Sequence, residues 1–99
     1  VDFEEHVRRA LDSVPDELAR RLKNVAVVVE DESPRGANLL GLFEKPAHLP
    51  AKVTIFRGPL ERSFGHDPQL LEHEIRVTVL HELAHYFGID EDRLRELGY

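Results

Sequence analysis

His81-Glu82-Leu83-Ala84-His85-Tyr86-Phe87-Gly88-Ile89-Asp90-Glu91 is the stretch on which the reading of this chain turns. His81 and His85 stand one helical turn apart. An α-helix repeats every 3.6 residues, so both imidazoles fall on one face and can offer two nitrogens to one metal ion. Glu82, beside the first histidine, can then reach a water on that metal and serve as general base. Gly88 can take the left-handed conformation that closes a helix.

Asp67-Pro68 marks the start of the same helix, an N-cap carboxylate followed by proline at the first position. The spacing predicts one helix over 68–87. Its middle is apolar, with Ile75, Val77, Val79, Leu80, Leu83 and Ala84. Two imidazoles and a carboxylate in such surroundings need partners, which a metal provides.

A catalytic zinc usually keeps three protein ligands and one position for water. His81 and His85 supply two. The third is expected from the turn after Gly88, since fourteen residues follow His85, or from upstream. In the spacing H-E-x-x-H-x-x-G-x-x-H the last position is Glu91, and zinc accepts a carboxylate there. Asp90 is the alternative third ligand and Asp92 the next. Asp90 equally suits the N-cap of a last helix ending near Gly98, and an acid at position 91 also suits a helix's first turn.

Upstream, Phe3, Val7, Ala10 and Leu11 recur at helical spacing behind Asp2 as N-cap. A second helix is expected over 15–22. Val25-Ala26-Val27-Val28-Val29 is short and β-branched and reads as a buried strand. A second strand is expected over 39–44 and a third over 53–57, closed by Gly58-Pro59, with one helical turn over 60–64. Strands grouped between helices give an α+β fold: one domain over 1–99, about three strands covered by helices, with the long site helix near the C-terminus.

The 99 residues carry a net charge of -6, which argues against a nucleic-acid partner. No cysteine is present, so disulfides, thiolate ligands and a cysteine nucleophile are excluded. No apolar run has the length of a membrane span, and no signal-peptide pattern opens the chain. The expectation is a cytoplasmic monomer with no membrane partner. His73 lies about 12 Å along the helix from His81, too far to share a metal, and is expected in solvent. His48 and His66 are expected at the surface, and Arg57, Arg62 and the acids at 30–32 in solvent. Tyr86 is expected to pack with its hydroxyl wet.

These residues resemble the minimal zincins, short bacterial zincin-like metallopeptidases with a matrix-metalloproteinase-like domain. VAVVVEDE at 25–32, LGLF at 40–43, TIFRGPL at 54–60 and TVLHELAHYFGIDEDRLRELG at 78–98 carry the likeness. It implies a compact zincin core binding Zn2+, with His81 and His85 as ligands and Glu82 as base. The family's third-ligand aspartate falls at position 91, where this chain has Glu91. The likeness to metzincins is weaker, because those need a third histidine and a methionine turn, and no methionine is present. In zincins an extended substrate lies along an edge strand; residues 53–57 are the expected edge, with the second strand as alternative.

The function expected is a zinc-dependent peptidase acting on a peptide or protein substrate. Two others compete: a non-catalytic zinc-containing peptide- or partner-binding module, and a regulatory protease acting on one specific cytoplasmic protein.

Overall fold

Local signals set the helices. In this computed structural model, which describes residues 1–36 and 38–99, α1 spans Phe3–Asp12. The Asp2 carboxylate accepts the Glu5 N–H at 2.9 Å, and Phe3, Val7 and Ala10 form its buried stripe. Helix α2 spans Asp16–Leu22, with Pro15 as its cap residue. Three strands follow, β1 (Val25–Glu30), β2 (Gly41–Glu44) and β3 (Ala51–Phe56), then α3 (Arg57–Phe64), α4 (Pro68–Phe87) and α5 (Glu91–Glu96). The fold is α+β. Among the described residues no helix is long and apolar enough to cross a membrane.

The sheet has the order β1-β3-β2, with β1 parallel and β2 antiparallel to β3. This corrects two expectations at once. The strand taken as an edge, β3, is the centre: Val53, Thr54, Ile55 and Phe56 are all buried. The strand taken as buried, β1, is an edge, and Ala26, Val28 and Glu30 face outward. β-Branched composition marks a strand but does not say which neighbours flank it. The alternative edge, β2, is the one beside α4.

Gly58-Pro59 does not close the third strand but lies inside the first turn of α3. Proline is tolerated there because the first N–H groups of a helix have no partner inside it.

The helices pack mainly on one face of the sheet. Val53 and Ile55 meet Phe3 and Val7 of α1, Leu60 of α3, and Leu71, Ile75, Val79 and Leu83 of α4. A second cluster joins Val14, Leu18, Leu80, Ala84 and Leu94. α4 therefore buries two sides, one against the sheet and one against α2 and α5. Truncating Leu83 to Ala would cost about 2–5 kcal/mol by the usual range for buried leucines. Only the remaining sector of α4 is free to carry polar chemistry.

Candidate functional site

That free sector carries the motif. Asp67 starts α4 by accepting the N–H groups of Gln69 and Leu70 at 3.1 and 3.3 Å, and Gly88 ends it at φ 66°. Both ends are as the sequence indicated. His81 and Glu82 are half-buried in the angle between α4 and β2, while His85, a turn further on, is 68 % exposed.

β2 approaches α4 closely because residue 41 is glycine. A Cβ there would stand 2.6 Å from Thr78 Cγ2 and 3.3 Å from Thr54 O. The register then decides which main-chain groups stay free. Phe56 donates its N–H to Leu40 O at 2.9 Å, and the pairs Leu42–Thr54 and Glu44–Lys52 follow in the same ladder. Gly41 and Phe43 therefore turn their main-chain groups to the outer edge. The Phe43 N–H donates to Glu82 Oε1 at 2.9 Å. A small groove of about 280 Å³ runs beside this contact, with Leu39, Leu40, Val77, Thr78, His81 and Glu82 among its walls.

Beyond Gly88 the chain doubles back. The Asp90 carboxylate accepts the Asp92 N–H at 2.8 Å and caps α5. Glu91, the first residue of α5, places Oε1 at 3.7 Å from His85 Nε2. Glu82 Oε2 lies 4.0 Å from His85 Nδ1. Asp92 instead pairs with Arg95. His81 directs Nε2 to the main-chain oxygen of Tyr99 at 2.7 Å.

The donor set, two imidazoles and a carboxylate, is one that zinc accepts. Two ligands of one tetrahedral zinc stand about 3.4 Å apart, given bonds near 2.1 Å. His85 and Glu91 are close to that separation. Among the described residues no three His, Asp or Glu side chains converge as a complete metal cluster. His81 is the donor turned aside, held by Tyr99. The residues thus fit the ion in kind, and for His81 to join such a set its ring would have to leave the Tyr99 oxygen.

Other expectations divide. His48 and His66 are exposed, as read. His73 is not in solvent: its ring stacks on Tyr99, with centroids 5.8 Å apart. Tyr86 is half-exposed and stacks on Phe43 at 4.2 Å. Arg57 pairs with Asp31 and Arg62 with Glu32, so those charges tie α3 to the end of β1.

Three contributors were missed: the Phe43 N–H, the Tyr99 main-chain oxygen and Gly41. Only Gly41 had a signal, since glycine in a strand pattern marks close backbone approach.

A helix presenting H-E-x-x-H beneath the free edge of a short sheet is the arrangement of a zincin. The chain belongs to the zincin-like metallopeptidase family, whose sequence profile matches residues 22–99. Its fold is also similar to that of a conserved hypothetical protein from Thermus thermophilus. The two share 27 % identity and a TM-score of 0.58, over 87 % of this chain and 91 % of the other. No curated protein matches the sequence.

Proposed function

We propose that this chain is a zinc-dependent peptidase. The observation that carries the reading is Glu82 bonded to the outward main chain of β2, one turn from a His85–Glu91 pair. His81, His85 and Glu91 would hold the zinc, and Asp90 shapes the turn as a cap. When bound, zinc makes water acidic enough to ionise near neutral pH and offsets charge developing on a carbonyl oxygen.

The chain's own groups do the rest. The Phe43 N–H holds Glu82 Oε1, which leaves Oε2 to take a proton from the attacking water and return it to the leaving amine. A substrate in extended form adds to the edge of β2 through the outward main-chain groups of Gly41 and the carbonyl of Phe43, which aligns its own carbonyl beside Glu82. The groove past Thr78 and Val77 takes a side chain.

A second reading has its own support. With His81 on Tyr99, the same edge could bind a peptide without cutting it. The two readings separate in one experiment. A pool of unfolded protein is incubated with the zinc-loaded chain, and new termini are read by mass spectrometry. New termini that vanish with a chelator support the peptidase. Zinc-loaded protein that retains peptides and makes no new termini overturns it.

A further inference from the structure

A cavity lies away from the histidines, at the far end of β2. It measures about 780 Å³. Its cations come from separate elements: Arg20 and Arg21 from the last turns of α2, Lys23 from the link to β1, and Lys45 from the residue after β2. All four are exposed. None of the described residues lining the cavity is acidic. Arg20 faces Glu17 outside it, and Lys45 reaches the Leu49 main-chain oxygen at 3.0 Å. Arg21 and Lys23 make no ion pair among the described residues.

This is unusual in a chain of net charge -6. Arg20 and Arg21 also answer the dipole at the end of α2, but that does not account for Lys23 or Lys45. The floor is apolar, formed by Val25, Ala51 and Pro50, and two aromatic rings, Tyr86 and Phe87, close one side. A cationic rim over an apolar floor fits an apolar side chain with acids beside it.

Two of the cavity's lining residues, Tyr86 and Lys45, are chain neighbours of the site helix motif and of β2. Tyr86 follows His85, and its ring stacks on Phe43 of β2. Lys45 follows Glu44, the last residue of β2. A peptide added along the outer edge of β2 passes Glu82 and leaves the strand at Lys45, into this cavity.

We infer that the cavity binds an acidic segment of the peptide substrate, so that the protein selects chains carrying an apolar residue flanked by Asp or Glu. The inference rests on the peptidase reading for its meaning and on charge complementarity for its evidence. The acidic exterior of the protein works against nucleic acid, which would meet repulsion outside the cavity.

The test uses the full chain as Glu82→Gln. Two short fluorescent peptides share a central Leu, flanked by Glu in one and by Lys in the other. Anisotropy should show the Glu peptide binding at least about tenfold more tightly, with affinity falling as salt rises. Lys23→Glu with Lys45→Glu should erase the preference, and Lys23→Gln with Lys45→Gln should reduce it. Unchanged urea midpoints show that the variants are folded. Equal binding of the two peptides, or a preference that survives both pairs of substitutions, overturns the inference. So does a single-stranded oligonucleotide of equal charge that binds as tightly. Cleavage of the same peptides by the zinc-loaded wild type is measured separately. Cleavage without charge preference overturns the cavity alone, whereas preferential binding without cleavage overturns the peptidase reading alone.

Discussion

The main-chain N–H of Phe43 and the carboxylate of Glu82 meet at 2.9 Å, joining the outer edge of β2 to the middle of α4. Helix and strand are 39 residues apart in sequence at this point. The contact fixes one oxygen of the proposed base and defines where a substrate strand would lie relative to it.

Gly41 sets that approach. Gly41→Ala places a Cβ 2.6 Å from Thr78 Cγ2, and overpacking of this kind costs about 1–3 kcal/mol. Thr78→Ser removes the opposing methyl and keeps the hydroxyl, which donates to Glu74 O at 2.8 Å. The double variant should therefore recover most of the loss in urea unfolding. Strict additivity of the two changes would mean that they do not meet.

Asp90 and Glu91 should separate cleanly. Asp90→Ala removes the α5 cap, worth about 1 kcal/mol, and lowers the melting temperature by roughly 4–8 °C in a domain of this size. Zinc affinity should survive. Glu91→Ala should leave the melting temperature of the metal-free protein nearly unchanged. Its zinc affinity should fall by more than the roughly 10–100-fold that losing an outer partner costs. Calorimetric titration and thermal melts check both, and zinc binding lost only in Asp90→Ala would reassign the ligand.

Glu17 of α2 and Arg93 of α5 form an exposed ion pair at 2.7 Å. The Arg93 hydrogen bond holds the Glu17 carboxyl below its ordinary 4.5. A depressed carboxyl stabilises the fold above its unfolded pKa, and that contribution is lost as pH falls through the folded value. Both side chains are exposed, so salt should weaken the effect. Glu17→Gln should thus lower the melting temperature slightly at neutral pH. The difference from wild type should shrink well below the ordinary carboxyl value of 4.5 and in high salt. A difference that persists in acid would point to packing instead of charge.

The parts legible in the sequence are those that local chemistry sets. Asp67-Pro68 and Gly88 bound α4 because a cap and a left-handed residue act within a turn of themselves. His81, Glu82 and His85 share a helix sector for the same reason. The order of the strands was not legible. β1 and β3 are both short and β-branched, and only their neighbours make one an edge and the other the centre. The bonds from Phe43 to Glu82 and from Tyr99 to His81 were equally hidden. Each uses a main-chain group, which every residue carries alike, so side-chain identity gives no warning of it.

The most direct test compares wild type and Glu82→Gln for zinc content and peptide hydrolysis in the same preparations. Both should hold about one zinc per chain. Wild type should cleave, and the variant should be slower by about 10²–10⁴-fold, the usual contribution of a general base. A zinc-loaded wild type that cleaves nothing, or a Glu82→Gln protein that cleaves as fast, would contradict the account.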